Sequence, residues 1–173
     1  MKDKLIKELS DGGIKIGACE KGIAELDAAT SDCATLSGLF FKNAHFCLNE
    51  GFPTAGWIID HFGDEAANFG IFCGKDGVVS NPRWVAVLGN VHVSADYGGY
   101  SVGKIYAKAK STMDVRISDH ARVMIDAFDD SCIHVRASGN SRVYVTKYGN
   151  AVVRIDKTDD AESVYNVKPT NKY

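Results

Sequence analysis

Between Val91 and Ile155, apolar and polar positions alternate in a block that repeats every ten residues. Each block begins with a small residue, has apolar residues at its third and fifth positions, and ends in a polar turn, as in Ser131–Asn140 and Ser141–Asn150. Alternation with a period of two is typical of a strand with one buried face. Because the same kind of residue returns at the same place in every block, the pattern predicts the stacked coils of a β-solenoid rather than a series of hairpins.

The aligned blocks place residues of one kind in columns, which we expect to line the interior of the solenoid. A column of Ser and Ala suits a tight corner, and two columns consist mainly of Val and Ile. A fourth column ends at Lys147 and Lys157, which predicts that the core narrows or opens to solvent toward the C-terminal end. The corner column is Ser101, Ser111, Ala121, Ser131, Ser141 and Ala151, and the two apolar columns are Val93, Gly103, Met113, Val123, Ile133, Val143, Val153 and Ala95, Ile105, Val115, Ile125, Val135, Val145, Ile155.

Ten residues are too few for a full coil with large side chains inside, so we expect two blocks per coil and two facing sheets. A three-sided coil of three blocks is the alternative. Two blocks per coil would place Asp96 beside Arg116, and Arg136 beside Asp156, on one outward face, so that opposite charges are neighbours.

The other outward face is rich in aromatic residues, and we predict that it is an interaction surface. The alternative interpretation is that exposed aromatic residues in strands simply reflect their high β-propensity. The predicted interaction face consists of Tyr106, Met124, Phe128, Tyr144 and Tyr148.

The residues before the repeat follow a helical pattern, with apolar side chains at spacings of three and four. The pattern breaks at Gly70, and Trp84–Val87 is the expected first strand of the solenoid. The predicted helices cover residues 3–9, residues 20–28, a longer run to about Asn49, a stretch capped by Thr54, and a last turn at Glu65–Asn68.

We therefore predict an α+β chain. A helical cap of three to five short helices over residues 1–75 would pack on a β-solenoid over residues 76–158, and a polar tail would follow over residues 159–173. The physical reason for a cap is that each end of a solenoid exposes an unpaired strand. The helices would cover the first end, and either the tail or another copy of the chain would cover the second.

Composition and charge exclude several classes of function. The 173 residues are 45% hydrophobic and carry a net charge of −2, so no basic excess points to nucleic acid. No apolar run is long enough to span a membrane, and the charged N-terminus lacks the pattern of a secretory signal. The five cysteines form no C-x-x-C motif, so we expect reduced thiols and a cytoplasmic location.

The sequence shows no catalytic, nucleotide-binding or metal-binding motif around its five histidines. The turns also lack the repeated Gly-Gly and the repeated acid of calcium-binding solenoids. We therefore predict no catalytic residue, no cofactor and no metal. The rival hypothesis is an enzyme or small-ligand binder that uses a groove between the helices and the solenoid, at Trp57, His61, Phe62 and Trp84.

The blocks Ser131–Asn140 and Ser141–Asn150 resemble those of the decapeptide-repeat β-solenoid proteins of bacteria. The whole chain, with its helical N-terminus, is similar to hypothetical proteins of gut Bacteroidetes and their mobile elements. This family has no settled activity, so the resemblance assigns no site residue. Bactofilin-type cytoskeletal proteins, which polymerise through stacked β-coils, are a looser comparison, because a helical half should block one end here.

The most direct interpretation is a non-enzymatic binding or assembly module. Its expected partner is a second copy of the chain, as in a homodimer, or another protein, with no nucleic acid and no membrane. Polymer formation through the solenoid end, as in bactofilins, is the third hypothesis.

Overall fold

The computed structural model describes residues 3–173 and divides the chain into two units. A helical unit covers residues up to Phe69 together with Tyr173, and a solenoid unit covers Gly70–Lys172. The α+β class, with helices that precede a β-solenoid, is as predicted. The boundary lies at residues 69 and 70 instead of 75 and 76, because the first strand already begins at Ile71.

The helical unit contains six described helices, one more than the upper limit of the prediction. They are α1 (Lys4–Lys15), α2 (Glu20–Asp27), α3 (Cys33–Lys42), α4 (Ala44–Glu50), α5 (Ala55–Phe62) and α6 (Glu65–Asn68).

Two helix boundaries differ from the prediction for identifiable reasons. Helix α1 continues to Lys15, beyond the predicted end at residue 9, and the Phe52 ring packs where a side chain on Gly12 would be. The predicted long run to Asn49 is broken at Asn43, where the backbone leaves the helical conformation and the side-chain amide donates to the carbonyl of Leu39 at 2.9 Å.

Side-chain caps and a small apolar core hold the helical unit together. Thr54 accepts a hydrogen bond from the backbone of Trp57, and Asp32 accepts one from Thr35. Hydrogen bonds, first from Thr30 and then from Thr35, lower the pKa of Asp32 to about 2. The buried core consists of Ile6, Leu9 and Leu36, against which Leu5, Leu26, Ala29, Leu39, Phe52, Trp57 and Phe62 pack.

Eleven described strands form the solenoid unit. They are β1 (Ile71–Phe72), β2 (Gly77–Ser80), β3 (Trp84–Leu88), β4 (His92–Tyr97), β5 (Val102–Lys108), β6 (Thr112–Ile117), β7 (Arg122–Ala127), β8 (Cys132–Ala137), β9 (Arg142–Tyr148), β10 (Val152–Lys157) and β11 (Glu162–Lys168). The solenoid thus begins two strands before the predicted first strand.

The strands form two parallel sheets, which we call sheet A and sheet B. Sheet A has the order β1-β3-β5-β7-β9-β11, and sheet B has the order β2-β4-β6-β8-β10. From β3 onward each residue pairs with the residue twenty positions away, as Val123 does with Val143 and Asp96 with Arg116. This register confirms two blocks per coil and excludes the three-block alternative.

The predicted interior columns are buried through the middle coils and become accessible at the C-terminal end. Val123 and Val143 are fully buried, whereas Val153 and Ile155 in the last coils are partly exposed. The fourth column, which ends in lysines in the sequence, also leaves the core in the structure. Lys157 is exposed, whereas Ala137 in the same column is buried.

Corners are closed by residues at positive φ, several of which are aspartates rather than the expected Gly or Asn. Asp119, Asp129 and Asp159 all adopt φ between 56° and 57°. Each carboxylate accepts a hydrogen bond from the backbone of the coil before; Asp119, for example, accepts from the N–H of Gly99 at 2.7 Å. Asx side chains tolerate this conformation and gain a bond there that glycine cannot make.

The predicted polar tail is not a separate element. Glu162–Lys168 forms β11, which pairs with β9 along its whole length and adds another strand to sheet A. After β11, Asn171 accepts a hydrogen bond from the backbone of Asp129.

Candidate functional site

The predicted interaction face is mostly buried, and this prediction is therefore wrong for three of its five residues. Tyr106, Phe128 and Tyr148 are no more than 6% exposed. The Phe128 and Tyr148 rings stack with their centroids 4.4 Å apart. Of the five residues only Met124 and Tyr144 are exposed, and they are register partners on neighbouring strands of sheet A.

Lysines and a buried carboxylate complete this surface of sheet A. The Lys104 ammonium contacts the carboxylate of Asp126 at 2.5 Å and lies 5.3 Å from the centre of the Tyr106 ring. Burial, and then the charge of Asp126, raises the pKa of Tyr106 and of Tyr148. The sequence pattern identified these positions as outward-facing, but it could not show that Asp126 and three rings would be buried together.

The residues of the predicted groove fall in two different units. In the helical unit the Trp57 and His61 rings stack at 4.1 Å, and the Trp57 indole donates to Glu8 at 2.8 Å. Phe62 meets Trp57 edge to face. Trp84 lies in β3 of the solenoid unit, half exposed, with the Arg83 guanidinium over its ring. These ring contacts and the hydrogen bond show that Trp57, His61 and Phe62 form a packed group on α5.

Three of the five thiols are buried, and two of the histidines lie near one carboxylate. Cys33, Cys47 and Cys73 are buried, and burial raises the pKa of the Cys47 thiol to about 12, so that this thiol stays protonated. No group of three or more His, Cys, Asp or Glu side chains in the described chain is placed to hold a metal ion. No described helix has both the length and the apolar character needed to cross a bilayer.

The outer surface of sheet B carries the charged residues that the sequence pattern predicted there. Arg136 and Asp156 are register neighbours, as expected. Their closest contacts nevertheless go elsewhere: Asp156 accepts from His134 at 2.6 Å and from Arg154 at 3.1 Å. These hydrogen bonds, the one from His134 first, lower the pKa of Asp156.

Apolar side chains at inward positions of the last coil are exposed at the C-terminal end of the solenoid. Tyr165 and Val167 of β11, the register partners of Val145 and Lys147, are 42% and 62% exposed. Val164 is also exposed, but it continues the outward column of Tyr144. The Tyr165 hydroxyl reaches across the last coil and donates to the carbonyl of Val153 at 3.4 Å, so the ring partly covers the open core.

The backbone at this end is also unpaired on one side. β11 is the last strand of sheet A and β10 is the last strand of sheet B, and no described strand pairs with their outer edges. Exposed N–H and C=O groups in a row favour pairing with another strand. β1 and β2 are likewise the last strands of the two sheets at the opposite end, but there Ile71 and Phe72 of β1 are buried.

The sequence contains a weak signal for β11. Ala161–Tyr165 has the small-x-x-x-apolar form of a block, and the preceding Asp159-Asp160 repeats the turn Asp129-Asp130. The signal was weak because Ser163 stands at a position that Val or Ile occupies in most earlier blocks.

Comparisons of the chain with protein-family models, with curated proteins and with solved structures find no match.

Proposed function

We propose that the protein is a non-enzymatic assembly module in which two copies associate through the C-terminal end of the solenoid. One observation carries the proposal: a column position that is buried in the earlier coils becomes exposed in the last one. Val145 is fully buried, whereas Tyr165, its register partner in β11, is 42% exposed. Burial of such apolar surface between two copies is favourable by about 25 cal/mol per Å².

The unpaired backbone of the last coil supports the same role. In a solenoid with two strands per coil, the strands of the two sheets run in opposite directions. A two-fold axis perpendicular to the stack of coils therefore brings the edge strands of two copies together antiparallel. Antiparallel pairing satisfies the exposed N–H and C=O groups of β10 and β11 and continues the sheet spacing across the interface.

A closed pair fits the structure better than a growing filament. A filament formed head to tail needs an open first end as well as an open last end, whereas a two-fold pair uses the same surface twice. The apolar residues of β1 are buried, while those of β11 are exposed. The first end therefore offers less apolar surface for head-to-tail growth, and this favours the closed pair over the bactofilin-like alternative, which shares the idea of association through stacked coils.

The experiment is sedimentation equilibrium of the 18.7 kDa chain from low micromolar to submillimolar concentrations. We expect a reversible monomer–dimer equilibrium with a plateau at twice the chain mass. The variant Val167→Lys should weaken dimerisation by about tenfold or more, because the ammonium group would lose water at the interface.

The matched control is Val102→Lys, which changes a valine that is 57% exposed, against 62% for Val167, on β5 and away from the C-terminal end. This variant should dimerise as the unmodified chain does. A chain that stays monomeric at all concentrations would rule out self-association through this end. A mass that rises with concentration and reaches no plateau would replace the closed pair with a filament.

A further inference from the structure

A groove crosses the outer surface of sheet B, within the solenoid unit. Its volume is about 630 Å³, and its walls come from the C-terminal ends of β2, β4, β6, β8 and β10 and the residues that follow them. Neighbouring strands lie about 4.8 Å apart, so five strands span about 19 Å along the stack of coils. This volume is typical of ligand sites, and the length suits a linear ligand of a few units.

Two arginines line the middle of the groove side by side. Arg116 and Arg136 are register partners on neighbouring strands. Like charges directly opposite each other destabilise a sheet, so this pair has an energetic cost unless an anion lies between them. Arg122 and Arg142 are also register partners, on sheet A, but there Arg142 donates to Glu162 at 2.8 Å.

The carboxylates near the groove do not neutralise the two arginines well. Arg136 has its nearest described carboxylate, Asp114, at 3.7 Å, and Asp114 lies at similar distances from His92 and His134. Asp156 accepts hydrogen bonds from His134 and Arg154 instead. No ion pair involves Arg116 among the described residues. The two guanidinium groups therefore have donors left for a ligand, and a guanidinium fork matches a carboxylate.

Hydroxyl groups stand in a column along one wall of the groove. Ser118, Ser138 and Thr158 follow one another at intervals of twenty residues. Their side-chain hydrogen bonds are long, as for Ser118 at 3.4 Å and Thr158 at 3.3 Å. The exposed carboxylate of Asp96 lies in the same groove. These groups can donate to, or accept from, hydroxyls of a ligand.

The charge of the groove selects among anionic ligands. Arg116 and Arg136 contribute two positive charges, and Asp96 and Asp156 contribute two negative charges. A densely charged chain such as a nucleic acid or a polyphosphate would meet both carboxylates as well as the arginines. A ligand with widely spaced carboxylates among many hydroxyls would place one carboxylate on the arginines and its hydroxyls on the rest.

We infer that this groove binds an acidic oligosaccharide. Arg116 and Arg136 hold the carboxylate of one sugar. The hydroxyl column and Asp96 form hydrogen bonds with the hydroxyls of the neighbouring sugars. The site lies on the outer surface of sheet B and is independent of the association through β10 and β11 proposed above.

The test is calorimetric titration with a tetrasaccharide in which glucuronate alternates with N-acetylglucosamine. The ligand control is the same tetrasaccharide with its carboxylates reduced to alcohols. We expect the acidic form to bind with an affinity that falls as salt rises, and the reduced form to bind about tenfold more weakly or not at all. Arg116→Gln and Arg136→Gln should each weaken binding of the acidic form by about tenfold, whereas Arg122→Gln should leave it unchanged.

Because Arg116 and Arg136 are exposed, both variants should keep the melting temperature of the unmodified chain, which separates loss of binding from loss of fold. Absence of binding, or equal binding by the reduced tetrasaccharide, would overturn the inference. Equal affinity for inorganic sulfate would show an anion site without saccharide recognition. Tighter binding of an acidic peptide such as tetraglutamate would assign the groove to a protein partner instead.

Discussion

The corner column of the solenoid contains serine hydroxyls that are buried and have no hydrogen-bond partner among the described residues. They belong to Ser101, Ser111, Ser131 and Ser141. The same column holds Ala121 and Ala151, both fully buried. The corner therefore requires a small residue, and the structure gives no sign that it requires a hydroxyl. An unpaired buried hydroxyl lowers stability by about 1–3 kcal/mol.

In this column, replacing serine by alanine should raise the stability of the fold, and replacing alanine by serine should lower it. Ser131→Ala removes an unpaired hydroxyl, so we expect the free energy of unfolding to rise by about 1 kcal/mol. Ala121→Ser introduces one at the equivalent corner and should lower it by a similar amount. Urea unfolding followed by circular dichroism measures both. A loss of stability in Ser131→Ala would show that this hydroxyl is hydrogen-bonded in solution.

At the scale of single strands, the core depends on a pair of residues that compensate for each other. Gly103 stands where the neighbouring blocks place Val or Met, and a side chain there would overlap the ring of Tyr97. Tyr97 is buried in a column that holds Ala and Ile in the next four blocks, and its hydroxyl has no partner among the described residues. Burial also raises the pKa of Tyr97. The missing side chain on β5 thus makes room for the large one on β4.

This compensation predicts strong coupling between the two positions. Gly103→Val alone should lower stability by about 1–3 kcal/mol through the clash with the ring. Tyr97→Ala alone leaves a cavity and should lower it by about 3–5 kcal/mol. In the double variant the valine fills part of that cavity, so the loss should be smaller than the sum of the two. Thermal or urea unfolding of the four chains gives the coupling energy, and simple additivity would contradict the contact.

At the scale of the molecule, the solenoid is a stack in which each coil pairs only with its neighbours. β7 and β9 lie between two partners, whereas β10 and β11 have one each. In such an array, stability depends on nearest-neighbour interfaces and decreases toward an open end. The exposure of Val153, Ile155 and the β11 side chains follows this gradient.

The gradient predicts that the same substitution has different effects in different coils. Val143→Ala, in a fully buried position, should lower the free energy of unfolding by about 2 kcal/mol. Val153→Ala, in a partly exposed position ten residues later, should lower it by less than about 1 kcal/mol. Both are measured at concentrations at which the chain is monomeric. Equal losses would indicate that the last coil is as well packed as the middle ones.

The sequence determined by itself the ten-residue block, the interior columns and the polar corners. These features repeat, and each depends only on a coil and its neighbours, so the period of the pattern contains the information. Asp119 and Val143 occupy the positions that their blocks predict, at a corner and in the core. The resemblance to decapeptide-repeat proteins remains a prediction about ancestry, separate from this geometry.

Only the tertiary structure decided which outward side chains are accessible and which charges meet. Phe128 and Met124 both lie on the outer side of sheet A, yet one is buried and the other exposed. Asp156 has an arginine as its register neighbour but forms its shortest contact with His134. Burial depends on segments distant in sequence, and ion pairs depend on side-chain rotamers. A period of ten residues specifies neither of them.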